Sequence, residues 1–305
     1  MSLFESLLAA GVAMATPLLL AALGEIFMEK SGVIDIALEG KMLAAAFFAV
    51  LIAYSTQSPL LGLLAGIIAA VMLAAVFGIF VLYLQVDQII VGAALNMLAL
   101  GLTGILYREF FGMTGQSITV PTFAEWPLPV LQHLPFLGRG LFQQNALVYL
   151  ALISVAVAAF VIGRTRFGLY LRAAGDNPAA VDAAGVDVIK VRWLTVLLGG
   201  VFCGLAGAFL SIAHANTFVE GMTAGRGFIA LAIVIFARWR PVGALMVALL
   251  FGMASALPFQ FQALGMNIPY QIILMLPYSL TLLVAAFLGI RTPPPPSLAR
   301  PYFRE

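Results

Sequence analysis

RTRFGLYLRAAGDNPAAVDAAGVDVIKVR, residues 164–192, is the one long polar, charge-bearing segment between two strongly apolar runs. It holds Arg164, Arg166, Arg172, Lys190 and Arg192, five of the chain's 15 lysines and arginines. Basic residues close to the ends of membrane spans stay on the cytoplasmic side, so this segment orients everything around it. Within it lies a short helix signal. Asn177 is a capping residue, Pro178 pre-sets φ at the first helical position, and Gly185 can end the helix in the left-handed region. A short capped helix held in a cytoplasmic loop has the form of a docking element.

The runs on either side belong in lipid. The chain is 63% hydrophobic and 9% charged, where soluble domains average about 25% charged residues. Its mean hydropathy of +1.09 points to an integral membrane protein. The net charge of +2 says little about partners, because position and not the sum of charge sets topology. The single cysteine, Cys203, excludes an internal disulfide and a cysteine-based metal cluster. It lies beside Gly204 in an apolar run and reads as a small core residue. The N-terminus lacks the basic stretch of a signal peptide, so the first apolar run is expected to be a retained membrane helix.

Working outward along the chain, residues 7–23 form the first apolar run, interrupted by Pro17. In 24–41 charges alternate with apolar residues, among them Glu25, Glu29, Asp35, Glu39 and Lys41. Ile34, Ile36 and Leu38 are too apolar for an exposed loop, and the charges are too many for lipid. This predicts a helix discontinuity facing protein or water, with Gly32 and Gly40 supplying backbone freedom. Residues 60–84 are long enough to cross ~30 Å of hydrocarbon. A tight turn at Gln85, Val86 and Asp87 leads to a return span over 88–111 with Asn96 near its middle. Residues 112–143 form the longest non-helical stretch, holding Pro121, Phe123, Trp126, Pro127, His133, Phe136 and only Arg139 as a base, which suits the outer face. Spans over 145–163 and 193–212 flank the opening segment, the second with a packed glycine face of Gly199, Gly200, Gly204 and Gly207. The apolar run 227–237 is too short to span alone, since a span needs ~20 residues. Runs over 241–258 and 269–290 come next, and the proline-rich tail 291–305 is expected to be extended, mobile and cytoplasmic. The fold class is all-α and polytopic, with roughly eight to ten transmembrane helices, some broken or short.

No catalytic constellation is present: the chain has no HExxH, GxSxG or Walker P-loop motif, and only two histidines. No metal or cofactor is expected, nor a nucleic-acid partner. Few intramembrane charges argue against a proton pump. What remains is a polytopic body with two glycine-rich discontinuities, around 31–41 and 220–227. Transport sites are often built this way, since broken helices leave backbone donors and acceptors to meet a polar solute.

Four stretches, SGVIDIALEGKMLAAA, VDQIIVGAALNMLALGLT, RAAGDNPAAVDAAGVDV and GMTAGRGFIALAIVIFARWRPVGA, occur in order from Ser31 to Ala244. Together they resemble permease subunits of bacterial ABC importers, in the branch of ribose, branched-chain amino acid, nucleoside and simple-sugar permeases. EKSGVIDIALEG and GMTAGRGFIALA are similar to the nucleoside and simple-sugar subgroup. The resemblance implies a type II importer fold in the cytoplasmic (inner) membrane and a permease homodimer or heterodimer. It also implies two cytoplasmic ATPase subunits and an extracytoplasmic solute-binding protein. It implies a coupling helix within 172–188, where Arg172, Gly175, Asp176, Asn177, Pro178, Ala179, Ala180 and Gly185 match the family loop. Asp35 departs from the pattern, since relatives often carry Asn there; it either adds a charge to the path or pairs with Lys41.

For the solute path the residues named are Asp35, Glu39, Asn96, Glu220 and Arg226, with Glu25 as a further candidate. Each has a structural alternative, capping a half-helix or bonding a neighbour: Asn96 with a neighbouring helix, Glu39 with Lys41, Glu220 with Arg226. The expected activity is ATP-driven import of nucleosides or a related solute. An ABC permease for branched-chain amino acids or ribose, and an ion-coupled secondary transporter, are the alternatives.

Overall fold

The computed structural model of the chain describes residues 3–112, 118–127, 142–263 and 293–302, with a few single positions between 275 and 286. The expected features at His133, Phe136 and Arg139, most of the 269–290 run, and Arg291 and Arg304 lie outside the described residues.

Helices dominate. α1 (Leu3–Lys30), α2 (Leu38–Thr56), α3 (Pro59–Gly78) and α4 (Gln88–Phe111) come first. A short antiparallel pair, β1 (Glu125–Pro127) and β2 (Gln143–Asn145), is next. Then come α5 (Ala146–Arg164), α6 (Arg166–Asp176), α7 (Pro178–Ala183), α8 (Val188–Ala208), α9 (Arg226–Phe236) and α10 (Pro241–Ala263). π-helical turns extend α3 to Tyr83 and α8 to Ala215. Seven of the described helices are long and apolar enough to cross a membrane, and α9, at 11 residues, is a shorter apolar helix.

Local signals place the helix ends. Ser58 caps α3 with Pro59 at its first position, and Asp87 accepts from the Ile89 and Ile90 N–H groups at the start of α4. Asn145 and Asp187 cap α5 and α8 in the same way. These side chains satisfy donors that a helix start leaves unpaired.

The spans form two classes by burial. In α1, α2 and α8 about two thirds or more of the apolar window is buried (67%, 67% and 72%), against 33%, 28%, 33% and 33% for α3, α4, α5 and α10. The first three are therefore the centre, and the other four present exposed apolar faces such as Met97, Ile105, Ile153 and Met246 to lipid. Close approach at the centre depends on the glycine face of α8. A Cβ on Gly207 would lie 2.1 Å from the Met42 carbonyl of α2, and one on Gly204 would lie 2.6 Å from the Ile67 Cα of α3. Cys203 is buried there, as expected.

Three expectations change. The discontinuity is shorter than 24–41: α1 runs through Pro17 and on to Lys30, and only 31–37 is non-helical. Glu25 and Glu29 sit one turn apart on a buried helix and find partners on neighbouring elements, so the charges do not force a break. Gly32 has the expected positive φ of 93°, but Gly40 is helical, and its missing side chain instead admits Asn96 against α2. The tail segment 293–302 is not mobile but packed, because backbone groups of the break and of the basic loop hydrogen-bond to it.

Candidate functional site

Two sites emerge, one packed against the end of α1 and one inside the α1–α2 break. The first is the loop predicted to be the docking element. Thr165 ends α5 and caps α6 through Gly168 N–H (3.1 Å). Asn177, at φ −150° and ψ 91°, interrupts the helix after Asp176 and caps α7, its Oδ1 accepting from Ala180 N–H at 3.2 Å. Pro178 takes the first helical position, and Gly185, at φ 81°, turns the chain out after Ala183. The Gly185 and Val186 N–H groups close the end on the Asp182 and Val181 carbonyls.

In α7 only Val181 is buried; Asp176, Asn177, Ala179 and Ala180 are exposed, as is Arg172 on α6, which bonds its own helix at the Gly168 carbonyl. The result is a short rigid helix with small exposed side chains. Its root is fixed. Gly175 is buried, and a Cβ there would lie 2.2 Å from the Lys30 carbonyl at the end of α1. The capped loop thus sits directly on the helix that leads into the break.

The second site is the polar cluster inside the break. Asp35 and Lys41, both fully buried, form an ion pair. Asp35 Oδ1 also accepts from Ala37 N–H (2.9 Å), and its own N–H donates to Glu25 Oε1 (2.9 Å). The Lys41 ammonium lies 4.7 Å from the centre of the Phe77 ring, a cation–π contact with α3. Gln88 accepts from Ile34 N–H (2.8 Å). Asn96 bridges α4 to both sides of the break, donating to the Ile36 carbonyl (2.8 Å) and accepting from Gly40 N–H (2.7 Å). Trp239 donates its indole N–H to Glu29.

Of its two structural alternatives, Glu39 takes the capping of a half-helix and not the pairing with Lys41. Its two oxygens accept from Gly225 and Gly227 N–H, both at 2.7 Å, at the start of α9. A carboxylate there satisfies unpaired donors and meets the positive end of the helix dipole. Glu39 therefore holds the half-length helix and leaves Lys41 to Asp35. Glu220 pairs with Arg108 of α4, at 3.1 and 3.2 Å, and not with Arg226, which donates to the Met222 and Thr223 carbonyls. The Arg108 guanidinium hydrogen-bonded to Glu220 holds its carboxyl below the usual carboxylate range. Asp35, Glu39 and Asn96 thus converge on the break, while Glu220 lies before α9 and Arg226 is its first residue.

At the ends of α5 and α8 remote from the docking loop lies a cavity of about 370 Å³, lined among others by Phe123, Gln143, Gln144, Phe209, His214 and Asn216. Sequence reasoning had no signal to join His214 to 143–145. It also missed the Glu29–Trp239 bond, whose partners are 210 residues apart.

Comparison with known proteins agrees with this architecture. Residues 7–290 match the family described as branched-chain amino acid transport system / permease component. The permease protein TsgC13 of Haloferax volcanii, named for glucose ABC transport, is 38% identical over 332 residues, covering 100% of this chain and 99% of that protein. The guanosine ABC transporter permease protein NupQ of Bacillus subtilis is 35% identical, covering 95% of this chain and 94% of its own. The nucleoside ABC transporter permease protein NupC of Lactococcus lactis is also 35% identical, covering 90% and 89%. A solved structure described as a metal-chelate type ABC transporter in an inward-facing conformation shares the fold, with a TM-score of 0.51 at 16% identity over 92% of this chain and 85% of that one. With its seven long apolar helices and a family match over most of its length, the chain is a multi-pass protein of the cytoplasmic membrane and belongs to the ABC transporter permease family of the branched-chain amino acid transport system type.

Proposed function

We propose that the chain, as a single transmembrane domain over 1–305, is the permease subunit of an importer for nucleosides or a related simple-sugar-type solute. ATP is hydrolysed on separate cytoplasmic subunits, and the solute passes between two permease protomers by alternating access. In this reading 164–192 and the tail 291–305 face the cytoplasm, and 112–143 faces an extracytoplasmic solute-binding protein. The observation that carries it is the exposed, capped α7, rooted through Gly175 on the end of α1. A rigid helix of this kind passes a push from a docked ATPase into α1 and the break. The ATP-bound partner then favours whichever permease arrangement it contacts better, and the difference in contact free energy is what drives the change.

The surface at Arg172, Gly175, Asp176, Asn177, Pro178, Ala179, Ala180 and Gly185 is the docking site. The solute path runs past the break. Asp35, Glu39 and Asn96 fix the backbone that lines it, and Glu220 and Arg226 stand nearer its outer end. The names of NupQ and NupC support nucleosides as the solute class, and that of TsgC13 supports a sugar.

Uptake of radiolabelled nucleosides and glucose by cells with and without the chain tests this reading, before and after vanadate treatment of spheroplasts. Vanadate-sensitive nucleoside uptake that disappears on deletion is the expected result. Uptake that resists vanadate but collapses with an uncoupler would move the protein to ion-coupled transport. Sensitive glucose uptake without nucleoside uptake would reassign the solute.

A further inference from the structure

The proline-rich end of the chain does not trail away. Segment 293–302 crosses the face that carries α6 and α7, and its backbone bonds four separate elements. Ser297 N–H donates to the Gly175 carbonyl (2.9 Å), at the root of the docking helix, and Ala299 N–H to the Gly32 carbonyl (3.1 Å), in the α1–α2 break. The Arg300 carbonyl accepts from Arg192 Nη1 of α8 (3.1 Å), and the Tyr302 carbonyl accepts from Gln85 Nε2 in the α3–α4 turn (3.4 Å).

Arg192 is the hub. It is 2% exposed, and its Nε donates to the Ser31 carbonyl (3.0 Å), so one guanidinium fork joins the break to the tail. Among the described residues it forms no ion pair with a carboxylate; the carbonyl dipoles of Ser31 and Arg300 face its charge instead. Ala299 sits at φ 60°, a left-handed backbone that a non-glycine residue adopts only when its surroundings hold it. A loose tail would not keep that conformation.

We propose that segment 293–302 is a strap, clamped by Arg192, that ties the root of α7 to the α1–α2 break. The strap makes the docking helix and the Asp35–Lys41 cluster move as one body. The strap adds to the direct packing of Gly175 on Lys30 and Gly32. The coupling claim rests on the import reading, whereas the strap itself does not.

Ser297→Pro with Ala299→Pro removes both backbone donors and, at 299, the positive φ that proline cannot take; Ser297→Ala with Ala299→Gly keeps them. In the fully assembled transporter in proteoliposomes, solute moved per ATP hydrolysed should fall about tenfold in the proline pair, the size expected from losing two backbone bonds, and should hold in the control pair. Amide exchange at 31–33 and 173–177 should rise by about the same factor in the proline pair alone. Unchanged exchange would overturn the strap, and faster exchange with an unchanged transport ratio would overturn its coupling role. If the unsubstituted chain moves no solute, the import reading fails, and the exchange arm still decides the strap. Should the proline pair not accumulate in membranes, a chain ending at residue 292 gives both readouts.

Discussion

Neutralising the buried pair Asp35–Lys41 one side at a time should be costly, and neutralising both sides together should not. Asp35→Asn keeps an acceptor for Ala37 N–H but leaves the fully buried Lys41 ammonium without its ion-pair partner, beside the Phe77 ring 4.7 Å away. Lys41→Met leaves the fully buried Asp35 carboxylate without its cation, its own N–H bonded to the buried Glu25. Breaking a buried ion pair in this way costs about 3–5 kcal/mol, because an uncompensated charge stays out of water. The double variant Asp35→Asn/Lys41→Met removes both charges and keeps the volumes, so its cost should be about 1 kcal/mol or less. The coupling energy is then about 5 kcal/mol or more in a double-mutant cycle. Thermal unfolding of the four proteins in one detergent measures it. Single costs that simply add in the double variant would refute the reasoning, as would an Asp35→Asn protein as stable as the parent. Uptake by the double variant answers a separate question: a stable protein that no longer transports would mean that the Asp35 carboxylate meets the solute.

The same geometry sets three further outcomes. Glu39→Gln replaces a carboxylate that accepts two N–H bonds by an amide that turns an N–H₂ toward one of them, costing about 2 kcal/mol and speeding amide exchange in the first turn of α9; unchanged exchange there would refute the capping role. Gly175→Ala places a methyl 2.2 Å from the Lys30 carbonyl, costing about 1–3 kcal/mol by overpacking. Solute moved per ATP should drop with it, while Gly185→Ala, which meets open space but strains a positive φ, should spare the ratio. Finally, Glu220 is held below the usual 4.5 by its hydrogen bonds to Arg108. A lowered folded-state value means that the pair contributes above the usual carboxylate range and fades as pH falls through the lowered value. Arg108→Ala should return the Glu220 titration, followed by carboxyl NMR, to the ordinary value.

Much of the fold was legible because its signals are local. Asn177, Pro178 and Gly185 specify a capped turn of helix whatever surrounds them, and the long apolar runs have no stable home outside lipid. The break near Gly32 was legible for the same reason, since a positive φ belongs to one residue. Its extent was not. Glu25 and Glu29 look like loop residues in sequence and become helical only because Asp35 N–H and the Trp239 indole reach them. The tail misled through its composition. Four consecutive prolines, 293–296, favour an extended chain, but the carbonyls of Gly32 and Gly175 and the Arg192 fork lie where they can hold Ser297, Ala299 and Arg300.

By itself, then, the sequence determined the solvent of this protein, its helical class, and the shape of the short capped helix α7. Each of these depends on a residue and its near neighbours. Only the tertiary structure decided which charge meets which: Asp35 with Lys41, Glu39 with the start of α9, Glu220 with Arg108, and Arg192 with the tail. In lipid every buried polar group must find a partner within the protein, and the choice among partners far apart in the chain is made by how the helices pack.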